Sequence, residues 1–184
     1  MKEKIRLHKE AGHRVKIYSK VSKNKEETRN GYILDFSDNL ILIQQTDDFK
    51  LDGYAILPIS QVQKIRYNRS EKYFNKIMQW ENRLETLGIK YPIDLDNWRS
   101  AFKSLKALDL KVIAECESEV IDSFTIGPIA KVGKKLIHIT YFDAAGYLDD
   151  GPTSIDYESL TRVAFDSEYI NIFSKYIRQR KAAK

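Results

Sequence analysis

Basic and aromatic side chains alternate along two short segments of this chain. The residues there that could contact a nucleic acid are Lys16, Tyr18, Lys20, Lys64, Arg66, Tyr67 and the nearby Arg69. Cations neutralise phosphate groups and aromatic rings stack on unpaired bases, and single-stranded nucleic acid needs both interactions. If the two segments are neighbouring strands, these side chains can share one face of a sheet. The alternative is a solvated outer face whose lysines only protect an exposed sheet edge.

No group of residues has the spacing of a catalytic or metal site. The histidines lack both metal-ligand spacing and a nucleophile partner: His8, His13 and His138. Cys116 lies among glutamates, which should raise the pKa of its thiol and make it unreactive. The acidic loops at 47–53 and 143–151 lack the ligand spacing of an EF-hand and are explained better as Asp-Gly turns. We therefore predict no enzyme activity, no catalytic residue, no metal and no cofactor.

The positive charge is concentrated in the first part of the chain. The net charge is +5 for the 184 residues; residues 1–70 contain 14 basic and nine acidic side chains, whereas residues 110–184 contain 10 and 11. A polyanion should therefore bind the first part. A single cysteine fits a reducing compartment, and no apolar run is long enough for a membrane helix or a signal peptide. These features predict a cytoplasmic protein that does not enter a membrane.

Five short segments before residue 70 have the pattern of β-strands. They lie at residues 14–21, 29–36, 40–45, 54–59 and 62–67. Residues 14–21 alternate with period two, which predicts a strand with one buried face. Residues 40–45 are apolar on both faces, so we expect a central strand. Pro58 cannot donate a hydrogen bond to a neighbouring strand and should mark a strand end, an edge or a bend.

The periodicity changes to that of helices between residues 70 and 108. Apolar side chains at spacings of three and four predict a buried stripe formed by Tyr73, Ile77, Trp80, Leu84 and Leu87 on a helix over residues 70–88. A second helix over residues 94–108 follows a short link that contains Pro92. Two amphipathic helices with a short link predict a helical hairpin.

The second half of the chain repeats the apolar pattern of the first. At an offset of 96 residues, Gly31 corresponds to Gly127 and the segment 40–43 to 136–139. After the acidic loop the offset becomes 98, and Gly53 then corresponds to Gly151. The sequence thus predicts an internal duplication with divergent surfaces. The alternative is a chance alignment of two generic alternating patterns.

The segment 31–43 resembles the first motif of the Sm-like family. Gly31 opens a strand, Asp38 and Asn39 form the following turn, and an apolar strand comes next. The resemblance implies two tandem small five-stranded Sm-like barrels joined by a helical hairpin, a mainly β fold with some α. The predicted domains are a first barrel (1–69), a helical linker (70–109), and a second barrel with a C-terminal helix (110–184). The resemblance also adds Asp38 and Asn39 to the candidate nucleic-acid-binding residues, because Sm-like proteins bind single-stranded RNA.

Two functions follow as expectations. The first is a non-enzymatic binding module that binds RNA or other nucleic acid through the first barrel. The second is a protein-interaction or scaffold protein, in which the helical hairpin or an exposed barrel edge contacts a protein partner.

Overall fold

The computed structural model describes residues 1–179. The helices are α1 (Lys2–Glu10), α2 (Arg69–Trp80), α3 (Trp98–Ala107) and α4 (Glu168–Ser174). The strands are β1 (Arg14–Lys20), β2 (Glu26–Phe36), β3 (Leu40–Asp47), β4 (Lys50–Pro58), β5 (Val62–Arg66), β6 (Val112–Glu117), β7 (Asp122–Gly127), β8 (Ile129–Val132), β9 (Leu136–Ile139), β10 (Thr153–Asp156) and β11 (Arg162–Phe165). Single 3-10 turns at Ile59–Gln61 and Tyr157–Ser159 precede β5 and β11.

The five strands predicted before residue 70 are confirmed. β3 lies between β2 and β4 and is buried on both faces from Leu40 to Ile43, as its apolar pattern predicted. Pro58 ends β4, so its missing N–H costs no ladder hydrogen bond. The acidic loop reverses the chain at Asp48, which has φ = 44°, whereas Gly53 lies within β4. The turn therefore lies earlier in this loop than its Asp-Gly pair suggested.

The prediction of two closed five-stranded barrels is wrong. Eight strands form one antiparallel sheet in the order β5-β1-β2-β3-β4-β11-β6-β7, and the other three form a sheet in the order β10-β9-β8. β4 pairs with β11 from the second half of the chain, with Val163 opposite Ile56 and Phe165 opposite Tyr54. This pairing occupies the second edge of β4. That strand consequently has no edge left with which to close a separate barrel against β5.

The chain leaves the large sheet at Gly127 and enters the small one at Ile129. Gly127 has φ = 155°, and a Cβ atom at this position would overlap the carbonyl oxygen of Thr140. Pro128 follows and has no N–H group that the bend could leave unpaired. Glycine is therefore required for the close approach of the two segments at this bend.

The prediction of a helical hairpin is wrong as well. α2 packs mainly against β1 of the large sheet, and α3 packs mainly against β8 of the small sheet. α2 ends at Trp80 rather than at residue 88, because Asn82 has φ = 52° and breaks the helical path. The following segment is held to the large sheet instead, since the Gln44 amide donates to the Thr86 carbonyl (3.1 Å) and accepts from the Gly88 N–H (2.9 Å).

The predicted buried stripe of α2 was assigned to the wrong face. Tyr73 and Trp80 are 59% and 65% exposed, whereas the polar residues Glu71 and Asn75 are buried. Specific hydrogen bonds explain this reversal, because Tyr32 Oη donates to Asn75 Oδ1 (2.8 Å) and Arg66 donates to Glu71. Polar groups can be buried where each finds a partner, and apolar spacing alone cannot reveal those partners.

The two faces of the large sheet are buried by different helices. Ile5 of α1 packs with Val15, Ile17 and Ile43 on one face. Phe102 of α3 packs on the opposite side among residues of both sheets. β3 contributes to both clusters, since its side chains alternate between them.

Within residues 1–179, no helix has the length and apolar character needed to cross a membrane.

Candidate nucleic-acid interface

The pairing of β1 with β5 brings four of the predicted side chains together. In this antiparallel register Lys16 lies opposite Arg66 and Tyr18 lies opposite Lys64. Residues two apart on a strand point to the same face, so all four side chains project from one face of the sheet. We call Lys16, Tyr18, Lys64 and Arg66, with Lys20 at the end of β1, the basic strand face.

Three cations surround the ring of Tyr18 on the basic strand face. The distances to the ring centroid are 5.8 Å for Lys16 Nζ, 5.6 Å for Lys64 Nζ and 5.7 Å for Arg66 Cζ. Cations at such distances are attracted to the negative face of the ring. The ring of Tyr18 is partly exposed and Lys64 is exposed. The face therefore combines an accessible aromatic surface with clustered positive charge, which suits a base and its adjoining phosphates.

Arg66 is oriented by the first turn of α2. Its guanidinium donates to Glu71 Oε1 from Nε (3.0 Å) and from Nη2 (2.6 Å), and the other carboxylate oxygen accepts from the Asn68 N–H (3.0 Å). Burial alone would raise the pKa of Glu71, but the hydrogen bonds from Arg66 and the backbone outweigh it and lower that pKa. The hydrogen bonds that Arg66 donates to Glu71 raise the pKa of Arg66. Arg66 is thus partly engaged, whereas the two lysines have no carboxylate partner among the described residues.

The neighbouring part of the same sheet face is covered by α2. The guanidinium of Arg14 stacks over Phe74, with its Cζ 3.7 Å from the ring centroid, and Tyr32 is buried beneath the helix. Burial raises the pKa of Tyr32 to about 12, despite the nearby positive charge of Arg14. This phenol therefore stays protonated and donates its hydrogen bond at any physiological pH. Only the part of the face beyond α2 is open to a ligand.

Tyr67 lies on the opposite side of the sheet from Tyr18. Its ring stacks on His13, with centroids 3.8 Å apart, and meets the edge of His8 at 5.5 Å. It also packs against the core cluster that contains Ile5. The sequence order Arg66-Tyr67 explains this placement, because adjacent strand residues alternate between faces.

Asp38 and Asn39 also lie away from the basic strand face. They form the turn between β2 and β3, where Asp38 is paired with Lys2 of α1 (2.6 Å). The amide of Asn39 donates to the carbonyl of Asp96 (2.6 Å) and so fixes the segment that leads to α3. Their contacts are with the chain itself, and the structure gives them a role in positioning helices.

The remaining basic candidates differ in position. Lys20 lies opposite Glu26 in the β1–β2 ladder, so an acidic residue borders that end of the face. Arg69 begins α2 and is exposed. In the basic C-terminal tail, Lys175 and Arg178 lie among the described residues, whereas Arg180, Lys181 and Lys184 lie outside them.

His8 and His13 form a pair beside Tyr67, on the opposite side of the sheet from the basic strand face. Their Nδ1 atoms are 3.0 Å apart, so one ring must donate and the other must accept. Burial lowers the pKa of His8, with further contributions from His13 and Lys4. Burial followed by the charge of Lys72 lowers the pKa of His13. Both rings therefore favour the neutral form in the folded protein.

This histidine pair predicts a stability that depends on pH. In the unfolded chain both imidazoles titrate at about 6.5. Because the folded pKa values are lower, their contribution to stability is complete above about pH 6.5 and decreases as the pH falls through the folded pKa values. Urea denaturation between about pH 5 and 8 should show this decrease. A His8→Gln/His13→Gln variant should show a weaker one, and equal pH profiles for both proteins would contradict the assignment.

The thiol of Cys116 is buried, and burial raises its pKa. No cluster of three or more potential metal-ligating side chains occurs within residues 1–179.

Neither a scan against protein-family models nor a search of curated proteins finds a match to this chain. The resemblance of residues 31–43 to the Sm-like motif therefore stays a prediction.

Proposed function

We propose that this chain is a non-enzymatic binding protein whose basic strand face binds single-stranded nucleic acid, with RNA as the favoured ligand. The observation that carries the proposal is the grouping of Lys16, Lys64 and Arg66 within 6 Å of the ring of Tyr18. The cations can contact consecutive phosphates while the ring stacks on the base between them. This pairing of charge and aromatic surface is more specific than a basic patch alone.

The geometry favours a single strand over a duplex. The ring of Tyr18 can stack only on a base whose face is free, and the bases of a duplex are already stacked on each other. The strand face is also a sheet surface rather than a protruding helix that could enter a major groove. Unpaired bases of RNA loops and tails offer the surface that the site requires.

A mobility-shift experiment tests this proposal. A single-stranded oligouridylate of about 16 nucleotides should bind at low salt, and an RNA duplex of equal length should bind more weakly. The logarithm of the affinity should fall linearly with the logarithm of the salt concentration, with a slope of about −2 for three phosphate contacts on a single strand. Absence of binding at low salt, or an affinity indifferent to salt, would refute the proposal.

A protein partner is the second candidate function, and a separate observation favours it. The β6–β7 hairpin exposes Val120 (91%), Ile121 (44%) and Phe124 (48%), and β7 is an edge strand of the large sheet. An exposed edge with apolar side chains can pair with a strand of another chain. A partner that co-purifies after nuclease treatment and is lost in a Phe124→Ser variant would support this function.

An internal duplication is part of the same proposal. β1–β5 are ordered β5-β1-β2-β3-β4, and the second half has the order β11-β6-β7 in one sheet and β8-β9-β10 in the other. β3 and β9 begin 96 residues apart, at Leu40 and Leu136, which is the offset found in the sequence. In each half a 3-10 turn leads into the last strand, and a helix follows it. These correspondences support a common origin of the halves, of which only the first carries the basic strand face.

A further inference from the structure

The outer face of α2 carries an exposed aromatic pair together with three cations, Arg69, Lys72 and Lys76. Tyr73 and Trp80 are among the most exposed large side chains of the described chain, and their rings meet edge to face with centroids 6.2 Å apart. Exposure of two large aromatic rings removes them from the core and costs hydrophobic stabilisation. We call the outer face of α2 the helix platform, formed by Arg69, Lys72, Tyr73, Lys76 and Trp80.

The charged residues of the helix platform are all basic. Its members recur at spacings of three, four and seven residues, so they lie on one side of the helix. The only acidic residue within α2, Glu71, is buried on the other side and paired with Arg66. A groove of about 610 Å³ lies along the first two turns of the platform and is lined, among the described residues, by Arg69, Ser70, Lys72, Tyr73 and Lys76. The surface therefore combines positive charge with aromatic rings, and the nearest exposed acid, Glu81, lies beyond Trp80 at the end of the helix.

The helix platform adjoins the basic strand face. α2 begins three residues after Arg66, and the Arg66–Glu71 pair holds its first turn against the end of β5. From Arg69 the helix rises about 1.5 Å per residue, which places Trp80 about 17 Å further along. A ligand on Tyr18 can thus continue past Arg66 onto α2.

We infer that the helix platform is a second base-stacking site, which extends the binding track for a single-stranded nucleic acid from Tyr18 to Trp80. The inference rests on the proposed function and adds a prediction of how long a strand must be to contact both surfaces. A strand of about 4 nucleotides would occupy the strand face alone, and a strand of about 16 nucleotides would reach both surfaces. Repeating phosphates match cations spaced along the helix, and each exposed ring accepts a base of any sequence.

Tryptophan fluorescence tests the inference directly. The chain has two tryptophans, and a Trp98→Phe variant leaves Trp80 as the only one. The 16-nucleotide oligouridylate should quench the emission of Trp80, because a base stacked on the indole ring quenches indole fluorescence. The midpoint of this fluorescence titration should equal the midpoint of binding measured by mobility shift. The 4-nucleotide strand should leave the emission nearly unchanged.

Affinity measurements on the otherwise unaltered chain make the test independent of the Trp98 substitution. Tyr73→Ala and Trp80→Ala should each weaken binding of the long strand about 5- to 150-fold, since stacking on an aromatic side chain contributes about 1–3 kcal/mol per base. The same variants should bind the short strand as the parent protein does. Tyr176→Ala removes a tyrosine that is 72% exposed elsewhere and serves as the matched control.

Three results would overturn the inference. The long strand could bind without quenching Trp80, and with the same affinity for the Tyr73→Ala and Trp80→Ala variants as for the parent chain. That result would exclude the helix platform and leave the strand-face function intact. Failure of the parent chain to bind any single strand would remove both proposals. Equal quenching by an acidic polypeptide of matched charge would assign the platform to a protein partner instead.

Discussion

A Lys16→Glu/Lys64→Glu variant is expected to lose about 100-fold or more in affinity for single-stranded RNA. A charge-assisted contact contributes about 1.5–3 kcal/mol, so two lost contacts correspond to a change of this size. Both lysines lie beside the ring of Tyr18, and neither takes part in a salt bridge among the described residues. The substitution should therefore weaken binding without unfolding the chain, which mobility shift and thermal denaturation can measure together.

Lys103→Glu/Lys106→Glu is the matched control for this charge reversal. Both lysines are exposed on α3, and the variant has the same net charge as the strand-face variant. The control should retain nearly all of the parent affinity, because α3 packs on the small sheet away from β1 and β5. An equal loss in both variants would mean that binding follows net charge, and the basic strand face would then not be the site.

Arg29→Met is expected to destabilise the fold by about 3–5 kcal/mol, the usual cost of leaving a buried charge without its partner. Arg29 of β2 pairs with Glu117 and Glu115 of β6, and all three side chains are only 15% exposed. Burial alone would lower the pKa of Arg29, but the charge and hydrogen bond of Glu117 outweigh it and raise that pKa. Arg29 thus joins the two halves of the chain through a nearly buried ion pair. Urea denaturation at neutral pH measures the loss.

A double substitution shows whether the ion pair is responsible. Without Arg29, Glu117 keeps its hydrogen bond from Thr161 (2.8 Å) but loses its neutralising charge. Arg29→Met/Glu117→Met removes both charges, and an apolar pair of similar volume should recover much of the stability. A single-variant loss below about 1 kcal/mol would show that the pair is solvated like a surface salt bridge.

Local patterns predicted the strands well because each strand satisfies a local rule. Residues 14–21 alternate and form β1, and the doubly apolar segment 40–45 forms the central strand β3. The assembly of these strands was not predictable in the same way. The β4–β11 pairing joins residues more than a hundred positions apart, and an alternating pattern does not specify which edge its strand will meet. The prediction of two closed barrels was wrong for this reason.

The candidate site also has parts that local patterns predict and parts that they do not. Lys16, Lys64 and Arg66 could be grouped from sequence because strand alternation places them on one face once β1 and β5 pair. The same alternation, applied strictly, would have placed Tyr67 on the opposite face. The helix platform was missed because Tyr73 and Trp80 fit an apolar stripe as well as an exposed one. The hydrogen bonds that decide which face of α2 is buried are tertiary contacts, donated by Tyr32 to Asn75 and by Arg66 to Glu71.

Photochemical cross-linking tests the central claim most directly. Ultraviolet irradiation of the complex with a single-stranded oligouridylate joins stacked bases to the aromatic side chains that they contact, and mass spectrometry identifies the modified residue. The basic strand face predicts a principal cross-link at Tyr18, which is lost in the Lys16→Glu/Lys64→Glu variant. Cross-links that spare Tyr18 and persist in that variant would contradict the account.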